Sequence, residues 1–177
     1  VPMVALMARF PLRQFFKGIW KVWVITASTT SSAGSLPVTT SVTNDDFGVS
    51  PELSSFSLPL GATINMNGGC IYYAAAIVLT AQVYNVRLTP AAMLSIVLST
   101  VLVAMGCPGV PGGAIIMTTI LLTNMGLPLE IVGLIAGIFR LIDMADTVFN
   151  VTGDVVTTMV VARSENMIQP PVPAGKN

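Results

Sequence analysis

The sequence predicts an all-α integral membrane protein: two re-entrant helical hairpins and two interrupted transmembrane helices, arranged as an inverted repeat. Three observations predict it. The 177 residues are 53% hydrophobic and 9% charged, with zero formal net charge, whereas an ordinary soluble domain carries about 25% charged residues. Residues 53–86 and 88–129 carry no charge, and a spanning helix needs about 20 mostly apolar residues. A soluble fold of this size could not hide two such runs. Finally, apolar stretches are broken by TASTTSSAGSLP at 26–37 and GCPGVPGG at 106–113. Backbone left unpaired in hydrocarbon costs several kcal/mol per group, so such breaks sit within protein or line a watery cavity.

The elements follow in order. Residues 1–8 read as the end of a preceding transmembrane helix, and the chain as the C-terminal part of something longer. Arg9, Arg13, Lys17 and Lys21 follow that piece, and Arg163 and Lys176 follow the last. By the positive-inside rule both ends are cytoplasmic. A hairpin is expected at about 22–45 and a helix at about 53–85. A second hairpin at about 90–125 and a second helix at about 129–162 complete the 9–163 unit. A disordered cytoplasmic tail is expected over 164–177. Both long helices contain Asn-x-x-Gly, Asn65 to Gly68 and Asn150 to Gly153. Asn and Gly are poor helix formers, so each helix is expected to loosen there. Paired interruptions in two halves point to a transporter's midplane binding site.

Composition narrows the chemistry. There is no histidine, which removes Ser-His-Asp and Cys-His catalysis, most zinc sites and haem ligation by His. Cys70 and Cys107 make no CxxC and no disulfide framework. The absence of a basic surplus argues against nucleic acid as a partner. Neither an enzyme nor a cofactor is expected. The last helix carries the polar groups instead. With Asp143 at zero and about 100° per residue, Arg140 lies near about +60°, Thr147 about +40°, Asn150 about −20°, Asp154 about +20° and Asp146 about −60°. Ionisable groups within a membrane mark function by default. Arg140 with Asp143 could be a structural ion pair, but two further carboxylates remain, which favours a cation site or an ammonium ligand. Asp154 beside loosened backbone suits Na+, with oxygens from Asn150 and from the carbonyls near Gly61 and Asn65. An aspartyl protease reading fails because Asp143 and Asp154 share one helix, about 16 Å apart along its axis. A channel would differ by unsaturable flux without obligatory Na+ coupling.

Four stretches, SSAGSLPVT, LPLGATINMNGG, GCPGVPGGAI and DMADTVFNVTGD, resemble the signature segments of the dicarboxylate/amino acid:cation symporters, the glutamate transporter family. The resemblance covers about residues 9–163, in the family's order. It implies the first re-entrant hairpin, seventh helix, second hairpin and eighth helix of a transport domain, with the scaffold helices and the homotrimer belonging to the longer parent. It also implies a multi-pass protein of the cell (plasma or inner) membrane, coupling Na+ or H+ entry to uptake of a small amino acid amid lipid. Asp143 matches the group that binds the substrate ammonium. Asn150 and Ser32 match binders of the α-carboxylate, with Thr147 a further contact and Val110 in the gate. Asp154 with the carbonyls of Gly61, Asn65 and Asn150 matches one sodium site. The backbone at Thr63, Met66 and 104–107 matches a second.

The departures bear on the substrate. The family's arginine for acidic side chains falls at Asp146, and the threonine that assists it falls at Gly69. Asn67 stands where the family has aspartate, and Ser31-Ser32-Ala33 replaces a serine triplet. Arg140 stands where no arginine is expected. A neutral amino acid is therefore the expected substrate, or a cationic one held by Asp146. An acidic amino acid or dicarboxylate returns as the alternative if Arg140 binds the side-chain carboxylate.

Overall fold

The computed structural model describes residues 2–168, and it is all-α among them apart from one isolated antiparallel bridge between Val49 and Ile168. A short helix α1 (Pro2–Leu6) leads into α2 (Leu12–Thr29). Thr30 and Ser31 form the turn to α3 (Ser32–Ser41), which runs into a π-helical turn at Val42–Asp46. The helices α4 (Pro51–Ile64) and α5 (Asn67–Val83) are separated only by Asn65 and Met66. A second helix pair, α6 (Pro90–Met105) and α7 (Gly113–Asn124), precedes the long α8 (Glu130–Ser164).

Local chemistry sets most of these boundaries. Ser50 and Thr89 cap α4 and α6 by accepting from Leu53 N at 3.4 Å and Ala92 N at 3.2 Å. Proline follows each cap at the first helical position, where its missing N–H costs nothing. Ser31 caps α3 by accepting from Gly34 N at 3.0 Å. Gly112 starts α7 with φ +80, a conformation that side chains with a Cβ resist. Glu130 in the first turn and Arg163 in the last turn of α8 oppose the helix dipole favourably.

Two apolar cores form, and α8 belongs to both. Phe15, Ile19, Val22, Phe47 and Leu58 pack with Val155 and Met159 from the C-terminal half of α8. Tyr73, Ile77, Ile96, Leu121 and Leu122 pack with Ile135 and Phe139 from its N-terminal half. The polar stripe Asp143–Asp154 lies between them, where the first tip, the α4–α5 break and the α6–α7 loop converge. Outward faces are apolar: Leu94, Leu98 and Leu102 on α6 and Leu134, Ile138 and Leu141 on α8 are all exposed. By length and composition, Pro51–Val83, counted through its break, is long and apolar enough to cross a membrane.

Three expectations need correction. The first helix pair begins at Leu12 rather than near 22, so Arg13, Lys17 and Lys21 lie within α2. They are exposed at helical spacing while Phe15, Ile19 and Val22 face the core. The second long helix is not interrupted: α8 is continuous through Asn150–Gly153. There the Asn150 side chain bonds the start of α5, and bare Gly153 lets the Asn65 and Asn67 side chains close in. Packing outweighs the weak local propensity. Finally, residues 164–168 of the expected disordered tail are ordered, because Ser164 closes α8 and Met167 N bonds Ala162 O at 2.7 Å. Ser50 N bonds Met167 O at 2.9 Å. The rest of that tail, 169–177, lies outside the described residues.

Candidate functional site

The two helix-pair tips meet over α8. Ser31 Oγ donates to the Gly109 carbonyl at 2.8 Å, and Ala33 N donates to the same oxygen at 3.3 Å. Gly112 N donates to Asp143 Oδ2 at 3.4 Å, which ties the second tip to α8. Gly109 has no room for a side chain, since a Cβ would lie 2.7 Å from Ala62 O. Beside these contacts lies a cavity of about 20 Å³ lined by Thr30, Ser32, Cys107, Val110 and, from α8, Asp143, Asp146, Thr147 and Asn150. That volume holds about one water. An amino acid enters only if a tip moves.

Of the substrate contacts expected from sequence, Ser32, Val110, Asp143, Asp146, Thr147 and Asn150 all line this cavity, and Gly69 does not. Gly69 is buried, and a Cβ on it would face the Tyr73 ring at 3.2 Å. Its neighbour Gly68 packs flush on α8, where a Cβ would overlap Asp146 Oδ1 and lie 2.7 Å from the Asp146 carbonyl oxygen. Sequence reasoning did not single out Thr30 or Ala114. Ser31 was visible as part of the serine run, but its partner, a carbonyl 78 residues away, was not.

Asn150 is engaged three ways. Its Oδ1 accepts from Gly68 N at 2.8 Å, capping α5 from outside that helix. Its Nδ2 donates to Asp146 Oδ1 at 3.3 Å and approaches Met66 Sδ at 3.4 Å. Thr147 Oγ1 donates back to the Asp143 carbonyl at 2.7 Å. Arg140 pairs with neither Asp143 nor Asp146. Its Nη1 donates to Thr30 Oγ1 at 2.6 Å and its Nη2 to Ser28 O at 3.4 Å, both on the first tip. Thr30 sits at φ +49, an uncommon conformation for a β-branched residue.

Asp154 lies apart from this cavity. It is 4% exposed, at the floor of a groove of about 460 Å³ between α4 and α8 whose lining includes Ser57, Gly61, Asn65, Thr157 and Thr158. Asn65 Nδ2 donates to Asp154 Oδ1 at 2.7 Å, and Gly61 leaves no space for a Cβ against that carboxylate. Ser57 and Thr158 share a hydrogen bond at 2.8 Å. Asn65 and Met66 lie outside helical geometry, with ψ of 72 and 60, so the break frees backbone groups beside the carboxylate. The donor set is one carboxylate with amide, hydroxyl and carbonyl oxygens, which suits a hard cation. Among the described residues no cluster of three His, Cys, Asp or Glu side chains forms. For the second expected cation site, Met66 lines the tip cavity, while the Thr63 hydroxyl turns back to Leu60 O at 2.7 Å. Cys107 N caps the Ala104 carbonyl at 3.1 Å.

Asp143, Asp146 and Asp154 are 6%, 8% and 4% exposed, and among the described residues the salt bridge that forms is Lys21–Asp46, far from them. A buried carboxylate without a cation is costly, so the stripe calls for positive ligands.

Comparison with known proteins agrees with the signature segments. The model of the sodium:dicarboxylate symporter family matches residues 1–164. Excitatory amino acid transporter 2 of Mus musculus is 36% identical over 140 residues, which are 79% of this chain and 24% of that protein. An excitatory amino acid transporter of Caenorhabditis elegans is 34% identical over 140 residues, 79% of this chain and 28% of its own length. The chain thus spans about a quarter of the length of these relatives.

Proposed function

We propose, from the premise that this chain belongs to the sodium:dicarboxylate symporter family, that it forms the substrate- and Na+-binding part of a secondary amino acid transporter. The single observation that carries the proposal is the pair of buried carboxylates Asp143 and Asp146, neither in a salt bridge, lining a cavity where the two tips touch. In this reading Asp143 receives the substrate ammonium. The α-carboxylate lies near Ser32 and Asn150, and Thr147 lines the same space. Na+ is held at Asp154 with the carbonyls of Gly61, Asn65 and Asn150, and it supplies the positive charge that lets this carboxylate stay ionised in a dry interior. A second cation beside Thr63 and Met66, or a proton in place of Na+, belongs to the same proposal.

The helix pairs α2–α3 and α6–α7 act as re-entrant hairpins of an inverted repeat within a multi-pass membrane protein. The continuous α8 breaks the symmetry with the interrupted α4–α5 pair. The α6–α7 tip is the gate, with Gly112 as its pivot and Val110 at the cavity lip. Residues 9–163 move as part of a transport domain against scaffold helices supplied by the parent, a homotrimer in the plasma or inner membrane with a cytoplasmic C-terminus.

The substrate is a neutral amino acid, because Asp146 stands in the cavity and would repel a side-chain carboxylate. A second reading, an acidic substrate, is favoured by Arg140, whose guanidinium bonds the cavity-lining Thr30, and by the relatives, which are named excitatory amino acid transporters. Uptake by the full-length protein in proteoliposomes, with and without a Na+ gradient, separates the two. Na+-driven uptake of serine or alanine with aspartate and glutamate excluded supports the neutral reading. Na+-driven aspartate uptake lost on Arg140→Ala establishes the acidic one. No gradient-driven uptake of any amino acid overturns both.

A further inference from the structure

We infer that the outward face of α2 binds the headgroups of anionic phospholipids, with Arg13 and Lys17 on the phosphates and Phe16 and Trp20 at the edge of the acyl chains. This rests on the reading of α2–α3 as a re-entrant hairpin whose tip reaches the bilayer midplane. Three observations carry it. The first is how α2 divides its surface. With Arg13 at zero and about 100° per residue, Lys17 lies near about +40° and Lys21 near about +80°. Phe16 and Trp20 lie near about −60° and −20°. The buried residues of α2 occupy the far side, from Gly18 at about 140° to Ile19 at about 240°. A basic stripe thus runs beside an aromatic one, and neither faces the core. Arg13 and Lys17 are exposed, and Phe16 and Trp20 are 43% and 62% exposed. Rings beside cations on one amphipathic helix suit a membrane–water interface.

The second observation is depth. Thr30 lines the tip cavity, and at about 1.5 Å per residue Trp20 lies about 15 Å from it along the helix axis. That is half of a hydrocarbon core about 30 Å thick. Lys17 then lies about 20 Å from the midplane, within the headgroup layer, and Arg13 about 26 Å, from where its long side chain reaches back. The other wall of the cavity gives the same depth: Arg163 lies about 20 Å along α8 from Asn150. Both basic ends are on one side, since Phe15 and Ile19 share a core with Met159 and Ala162. The third observation is pairing. Lys21, one turn nearer the tip, has a protein partner, Asp46 Oδ2 at 2.7 Å. Arg13 and Lys17, at headgroup height, have no salt bridge among the described residues. A cation at the lipid surface finds its counter-ion in the lipid, whereas an apolar helix laid over this face would strand both.

The contact holds the base of the first helix pair at the membrane surface, and so its tip at the depth of the binding cavity. The test is photolabelling of the full-length protein in phosphatidylcholine vesicles that contain either a photoactivatable phosphatidylglycerol or a photoactivatable phosphatidylcholine, with the labelled positions mapped by mass spectrometry. The readout is the ratio of the two labels on residues 12–21. Each basic group beside an anionic leaflet raises partitioning about fivefold. The ratio is therefore expected to favour phosphatidylglycerol, to fall about fivefold in Lys17→Gln and about twenty-five-fold in Arg13→Gln/Lys17→Gln. Both variants alter exposed side chains, so folding is retained, and the phosphatidylcholine label should stay unchanged. A ratio that is the same in wild type and variants overturns the anionic-headgroup site. If neither lipid labels α2 while the exposed face of α6 at Leu94, Leu98 and Leu102 is labelled, protein covers this face and the inference alone falls. If neither lipid labels any segment, the membrane reading falls and this inference with it.

Discussion

At the scale of single residues, two adjacent glycines have opposite reasons to exist. A Cβ at Gly68 would drive into Asp146, meeting backbone as well as carboxylate, while a Cβ at Gly69 would touch the Tyr73 ring at 3.2 Å. Backbone cannot yield as a ring edge can, and overpacking costs about 1–3 kcal/mol. Gly68→Ala is therefore expected to destabilise the protein by about 2 kcal/mol and to abolish substrate binding. Gly69→Ala should leave both near wild type. Thermal unfolding in detergent with and without substrate distinguishes them, and equal effects would place the α5 start wrongly against α8. For the proposed ion site, Asp154→Asn is expected to abolish the Na+ dependence of uptake and of thermal stability; persistence of either removes this residue from the site. The signature motif made Asp143, Asp146 and Asp154 legible in the sequence. The role of Gly68 was not, because it depends on the distance of closest approach between two helices, which no spacing encodes.

At the scale of elements, apolar length was the signal for helices, and Ser, Gly and Pro the signal for the turns between them. The expected break at Asn65–Gly68 occurs at Asn65 and Met66. The matching break at Asn150–Gly153 does not occur; there Asn65 of the first break and Asn67 at the start of α5 pack against α8. Identical local motifs thus take different forms according to what packs on them. The π-helical turn at Val42–Asp46 left no readable signal, since it depends on accommodating an extra residue beside α2, where Lys21 Nζ meets Asp46 Oδ2 at 2.7 Å. That pair is solvent-exposed, and such pairs are worth about 0–1 kcal/mol. The second tip rests on Gly112, whose Cβ direction is open but whose φ is +80. Gly112→Ala is expected to cost about 1 kcal/mol through the backbone alone. Its thermal midpoint should fall slightly while Na+ half-saturation stays unchanged; a large loss would mean that the tip has a neighbour there.

At the scale of the whole molecule, two apolar cores are joined by α8, by the α4–α5 pair and by a contact between tips. The tip contact is thin: one carbonyl, Gly109 O, accepts from both Ser31 Oγ and Ala33 N. Removing the hydroxyl should cost about 1 kcal/mol of closed state, raising the open fraction about fivefold. Ser31→Ala is therefore expected to speed amide hydrogen exchange at residues 107–112 with little change within α4 or α5. Unaltered exchange would mean that apolar contacts, not this bond, keep the tips shut. Another link, α8, has a cost of its own. Arg140, Asp143, Asp146 and Asp154 all lie on this one 35-residue helix, and in the proposed bilayer setting a charge at the centre of a spanning helix opposes insertion by about 2.5–3.5 kcal/mol. Several such charges on one spanning helix weigh against the gain from its apolar residues. If α8 spans the bilayer as proposed, it needs α4 and α5 beside it to offer Asn65 and Gly68 as partners, so the helix that carries the chemistry depends on its neighbours to be accepted by the lipid.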